Sequence, residues 1–95
     1  MPSKRILVVE DEPSIADTLV HALSIESFEP TRVATISKAR EALKNNTFAA
    51  IILDVGLPDG NGFDFCKEIR LNDDIPILFL TARDDELGDL LHFGL

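Results

Sequence analysis

Two short apolar runs in this chain end in carboxylates. Ile6 to Val9 runs into Glu10-Asp11, and Ala49 to Leu53 runs into Asp54. Apolar runs of this length, separated by helix-period stretches, read as strands buried in a parallel sheet. In an open parallel α/β sheet, ligands bind beyond the carboxyl ends of the strands. Two neighbouring strands would then deliver three carboxylates to one crevice. Three close negative charges repel one another, and burial pushes protons onto them. A divalent cation resolves that conflict, and hard carboxylate oxygens suit Mg²⁺. The pattern therefore predicts a Mg²⁺ site beside one carboxylate able to act as a nucleophile.

The rest of the chain alternates strand and helix patterns, the signature of a doubly wound α/β sheet. Strand one spans about Arg5 to Val9. Pro13 suits the first turn of helix one, where its missing N–H costs nothing, and Ile15, Leu19, Val20 and Leu23 form the apolar stripe. Strand two, about Pro30 to Ala34, mixes polar and apolar residues as an edge strand does. Helix two spans about Ile36 to Lys44, with Ile36, Ala39 and Leu43 on one face. Strand three is about Ala50 to Asp54. Val55 to Gly62 holds three glycines and a proline and reads as a loop with special backbone needs. Helix three follows to about Leu71, burying Phe63, Cys66 and Ile69. Strand four is Pro76 to Leu80, with Thr81 at its carboxyl end. Asp84 is placed to cap helix four, which carries Leu87, Leu90 and Leu91.

Composition narrows the function. The 95 residues suit one small domain, and 45% hydrophobic content supports a true core. A net charge of −8 argues against gripping nucleic acid or an anionic membrane surface. The single cysteine, Cys66, reads as a small buried hydrophobe. No apolar run reaches the roughly 18 residues of a membrane-spanning helix, and the N-terminal run is too short for a signal-peptide core. A cytoplasmic protein is the expectation. His21 and His92 read as helix-surface residues, and Phe63, Phe65 and Phe79 as core or near-core.

In three stretches the chain resembles the response-regulator receiver domain of two-component signalling. They are Val-Val-Glu-Asp-Glu-Pro (8–13), Ile-Leu-Asp-Val-Gly-Leu-Pro-Asp-Gly-Asn-Gly (52–62) and Pro-Ile-Leu-Phe-Leu-Thr-Ala-Arg (76–83). Their order and spacing make the resemblance specific, and it runs from about Lys4 to Leu95. The loop wording and Leu-Thr-Ala-Arg are most similar to the OmpR/PhoB-type subfamily, which joins a receiver to a winged-helix DNA-binding domain. Ile15 to Leu19 and Asp54 to Asp59 look like CreB-type regulators.

The resemblance implies a flavodoxin-like sheet of order 2-1-3-4-5 with five helices. It implies Asp54 as phosphoacceptor from a sensor histidine kinase and Glu10 with Asp11 as Mg²⁺-binding carboxylates. It further implies the Gly56 carbonyl as a metal ligand and Thr81 as the switch hydroxyl. The family's fifth strand, its Lys-Pro pair and its last helix have no counterpart in this sequence. The expected order here is therefore 2-1-3-4, with an unpaired edge on strand four that favours swapping or a homodimer through strand four and helix four. No lysine carries over to the family's catalytic lysine, so phosphorylation is expected to be slower or weaker. A phosphorylation-independent interaction module is the alternative. An aspartyl-nucleophile phosphatase ranks last, because those enzymes need an Asp where Gly56 stands. DNA would be reached only through an output domain outside these residues.

Overall fold

Alternating apolar side chains on five-residue strands set the frame. The computed structural model describes residues 4–80 and the backbone of 91–94. The elements run β1 (Arg5–Val9), α1 (Pro13–Ile25), β2 (Glu29–Val33), α2 (Ile36–Asn45) and β3 (Ala50–Asp54). A small hairpin of β4 (Gly56–Leu57) and β5 (Gly60–Asn61) follows, then α3 (Gly62–Arg70), β6 (Ile77–Leu80) and β7 (Leu91–Gly94). The main sheet has the order β2-β1-β3-β6-β7. The first four strands are parallel, with Val9 opposite Leu53 and Asp54 opposite Leu80. This is the order expected from the sequence, with β6 as its fourth strand.

Successive strand residues point to opposite faces, so the two halves of each apolar run build two cores. Leu7, Val9, Ile51, Leu53, Ile77 and Phe79 pack under α2 and α3, against Ile36, Ala39, Phe65, Cys66 and Ile69. Ile6, Val8, Ile52 and Leu80 pack on the other face, against Ile15, Leu19 and Leu23 of α1. Each fully buried Leu or Ile contributes roughly 1.5–3 kcal/mol. The fully buried strand positions, Leu7, Val8, Val9, Ile51, Leu53 and Ile77, cluster in the centre of the sheet. β1 and β3 are therefore the most rigid elements available to carry a site.

Caps fix the helix starts. Glu12 accepts from Ser14 N–H at 3.1 Å ahead of Pro13. Thr35 accepts from Lys38 N–H at 3.1 Å, and Asn61 accepts from Phe63 N–H at 2.7 Å. Each cap satisfies amides that the helix itself leaves open.

Some expectations are corrected. Strand four was expected to have an unpaired edge, but β7 pairs antiparallel along it, with Leu78 opposite Phe93. An edge strand presents a row of open N–H and C=O groups that a following segment satisfies. The segment 81–90 is shorter than the dozen or more residues a parallel crossover usually takes, whereas an antiparallel return has no such minimum. Leu91 and His92, expected on a helix, lie in this strand. Phe63, expected in the core, is 47% exposed, although its ring packs against Phe79, tilted by 57° with centroids 4.6 Å apart. The remaining expectations for helix four (Asp84, Leu87, Leu90) and for Thr81 fall outside the described residues.

Gly62 shows how tightly α3 abuts β3. A Cβ there would collide with the Asp54 carbonyl oxygen and come within 3.0 Å of the Val55 Cα. The Gly62 N–H donates to the Val55 carbonyl at 2.7 Å. Gly56, by contrast, has open space where a Cβ would sit. Gly62→Ala is therefore expected to destabilise the chain by about 1–3 kcal/mol through overpacking. Gly56→Ala should stay within about 0.5 kcal/mol, as at an open surface position. Urea unfolding of both variants checks the contrast, and equal losses would contradict it.

Candidate functional site

At the carboxyl ends of β1 and β3, three side chains converge. One carboxylate oxygen from each of Glu10, Asp11 and Asp54 lies within 4.8 Å of the others. The parallel register Val9–Leu53 makes this unavoidable, because the two strands end side by side and each continues into an acid. The sequence placed these three residues together, and the structure brings them together. Gly56 opens the β4–β5 hairpin two residues beyond Asp54 and is solvent-exposed.

The three acids have unequal surroundings. Asp11 is exposed, Asp54 is half-buried, and Glu10 is 1% exposed. Glu10 Oε2 accepts from the Glu12 N–H at 2.9 Å. Its Oε1 is buried with no hydrogen-bond partner. Buried acceptors are nearly always paired, so an orphan in a native fold calls for a ligand, water or ion.

The electrostatics say the same. Burial pushes the Glu10 carboxyl up to about 7; the Glu12 N–H opposes this, and the Asp54 and Asp11 charges add to it. Asp54 is also raised, first by burial and then by Asp11, against contact with Glu10 and the backbone amides of Gly56 and Val55. Both shifts express the same conflict of like charges with too little water. A cation removes it. Oxygens around Mg²⁺ lie about 2.0–2.1 Å from the metal, hence about 3–4 Å from one another. A set already within 4.8 Å needs little closure to reach that geometry. The donors are all hard oxygens, and the residues fit Mg²⁺.

Two further side chains secure the site, and sequence reasoning missed both. Asp59, in the turn after β4, reaches 23 residues back along the chain to α2. Its Oδ1 accepts from Ile36 N–H at 2.9 Å and its Oδ2 from Ser37 N–H at 3.0 Å. Those two amides hold the Asp59 carboxyl below its ordinary range. Arg32, at the end of β2, donates to the backbone carbonyls of Glu10 and Asp11 at 3.0 and 3.2 Å. Pro-Asp-Gly reads locally as a turn, and nothing in it signals where the carboxylate goes. Arg32 reads only as a polar edge-strand residue.

Comparison with known proteins agrees with the geometry. A family model for the response regulator receiver domain matches residues 6–93. The transcriptional regulatory protein CreB of Escherichia coli K12 is 41% identical over 96 residues, covering 96% of this chain and 40% of that protein. The sensory transduction protein RegX3 of Mycolicibacterium smegmatis is 38% identical over 86 residues, covering 90% of this chain and 38% of its own length. This chain thus spans about 40% of the curated relatives it matches. Among solved structures, the non-phosphorylated HemR receiver domain of Leptospira biflexa superposes with a TM-score of 0.75 at 38% identity, covering 87% of this chain and 68% of that one. The response regulator TrrA of Thermotoga maritima, solved in complex with Mg²⁺ and BeF, gives a TM-score of 0.78 at 33% identity, covering 90% and 76%. Among the described residues, no helix is long and apolar enough to cross a membrane.

The raised carboxyls generate a pH prediction. Between the ordinary value of 4.5 and about 7, folded Glu10 holds a proton that the unfolded chain has released. Its contribution to stability therefore falls as pH rises through that window. Metal must displace the same proton. Mg²⁺ affinity is expected to climb between about pH 5 and 8, with proton release visible by calorimetry in two buffers. Glu10→Gln keeps an acceptor for the Glu12 N–H but removes the charge. It should flatten that pH profile, weaken Mg²⁺ binding, and stabilise the metal-free chain at pH 8 by on the order of 1 kcal/mol.

Proposed function

The chain belongs to the response regulator receiver domain family, and from that premise we propose that Asp54 accepts a phosphoryl group from a sensor histidine kinase in a Mg²⁺-dependent transfer. The observation that carries this reading is the buried, unpartnered Glu10 Oε1, on a side chain gathered with Asp11 and Asp54 at the paired ends of β1 and β3. Glu10, Asp11, Asp54 and the Gly56 carbonyl would hold the cation. Bound there, Mg²⁺ supplies positive charge to the transferring oxygens and lets all three acids ionise together.

The chain's own residues do the rest. An Asp54 oxygen attacks phosphorus as the phosphohistidine P–N bond breaks. The electron pair leaves with the imidazole, which takes a proton from solvent. Asp54 becomes an acyl phosphate. The Val55 N–H is engaged by the Leu80 carbonyl at 3.4 Å, so the Gly56 amide, which favours the ionised Asp54 carboxylate, is the proposed backbone donor to the transferred group. The rigid β1–β3 pair holds attacker and metal-binding carboxylates in register, which is most of what phosphoryl transfer asks of a protein.

Thr81 follows Leu80, the residue paired with Asp54 across β3 and β6. It is the proposed switch hydroxyl, drawn towards the phosphoryl group to shift the population between two conformations. Homodimerisation and control of a DNA-binding output domain complete the proposal. The output role is supported by the similarity to CreB, named as a transcriptional regulatory protein. The cytoplasm, where a kinase partner of this kind delivers its phosphoryl group, is the proposed location.

Intact-mass spectrometry after incubation with acetyl phosphate and Mg²⁺ tests the reading. The parent chain should gain one phosphoryl group. Asp54→Asn should gain none, and removal of Mg²⁺ by chelation should suppress the gain at least about tenfold. A folded parent chain that gains nothing would favour the phosphorylation-independent interaction module instead.

A further inference from the structure

We infer that Arg32 is a positioning residue for the acidic site, clamping the β1–α1 turn from the neighbouring edge strand so that Glu10 and Asp11 aim at a shared cation. The inference rests on reading Glu10, Asp11 and Asp54 as metal-binding carboxylates.

The β1–β2 ladder ends with Val9 opposite Val33. One further backbone bond, Glu10 N–H to the Val33 carbonyl at 3.0 Å, carries the pairing a step past the strand. Beyond it, β2 offers no backbone donor to the carbonyls of the turn. Arg32 takes over that work with its side chain. Its Nε donates to the Glu10 carbonyl at 3.0 Å, and its Nη2 donates to the Asp11 carbonyl at 3.2 Å. A guanidinium is planar and rigid, so two donors from one plane fix the spacing of two successive carbonyls.

The consequence lies in the side chains. The Glu10 N–H, its carbonyl and its Oε2 are all held, by Val33, Arg32 and the Glu12 N–H respectively. Only Oε1 is left unsatisfied, on a side chain that belongs to the acid cluster. The next residue, Asp11, is exposed, and its backbone carbonyl is held by Arg32, so the direction of its side chain follows its main chain. Mg²⁺ tolerates little departure from octahedral geometry. A small rotation of the Glu10–Asp11 peptide would therefore show in metal binding before it showed in folding. Arg32 itself is exposed, so its removal leaves neither a cavity nor a buried orphan charge.

The test counts Mn²⁺ bound to the 95-residue chain, from the loss of the free-ion electron paramagnetic resonance signal. Arg32→Ala should weaken binding about tenfold, in the range seen when partners behind metal ligands are removed. Arg32→Lys, a single ammonium that cannot span both carbonyls, should recover about a third of that loss. Arg40→Ala, which breaks the exposed α2–α3 ion pair with Glu68, should keep the parent affinity. A merely structural role would lower the melting temperature of both alanine variants and leave affinity unmoved. If Arg32→Ala fails to fold, Arg32→Gln, which keeps the stem and one donor, replaces it. Arg32 variants that bind Mn²⁺ within about twofold of the parent overturn the inference. A parent chain that takes no Mn²⁺ overturns the acidic-site reading, and the role of Arg32 with it.

Discussion

Three carboxylates held at one end of a parallel sheet, one of them buried, are the constraint around which this protein is arranged. Coulomb repulsion at a few ångströms is several kcal/mol at an effective dielectric constant of about 20. Burial of Glu10 to 1% exposure removes the water that would relieve it. Metal-free, the site settles the conflict by keeping a proton into the neutral range. Such a site is poised for a cation, because a bound positive charge would relieve that repulsion. The two core layers under and over the sheet serve this arrangement. They fix β1 and β3 so firmly that the acids cannot drift apart to escape one another.

Backbone devices then place the loops around the acids. Gly62 lets α3 begin against the Asp54 carbonyl, where any other side chain would collide. Asp59 ties the hairpin after β3 to the start of α2. Arg32 ties the turn after β1 to β2. The loop carrying Gly56 and the turn carrying Asp11 are each anchored to an element that is distant in sequence. The site is thus a tertiary object, although its acids follow directly from two strands.

That difference explains what the sequence made legible. Strand order 2-1-3 and then the fourth strand, the first three helix positions and the acid cluster were readable, because apolar periodicity and strand-end chemistry are local signals. Cys66 and Ile69 were foreseeable as core from helical spacing, and Phe65 read as core or near-core. The neighbouring Phe63 was not distinguishable from them, because a tilted contact with Phe79 satisfies an aromatic ring that stays half in solvent. The reach of Asp59 and Arg32 leaves no local trace, since each acts across more than 20 residues. The antiparallel pairing of β7 was missed for a related reason: open hydrogen-bonding groups on β6 say that something pairs there, but not in which direction.

Membership of the receiver family gives these features a common purpose. In the proposed reading Asp54 is the nucleophile. Burial and like charge raise both the Glu10 and Asp54 carboxyls, and a bound cation would favour their ionised forms. The claim on which this account stands is that one cation sits among Glu10, Asp11 and Asp54. Anomalous diffraction from a crystal of the chain soaked in Mn²⁺ tests it most directly. The account predicts one strong peak within bonding distance of Glu10 Oε1 and an Asp54 oxygen, with Asp11 linked directly or through water. A site that stays without a peak at saturating Mn²⁺, or a peak that leaves Glu10 Oε1 unbonded, would contradict it.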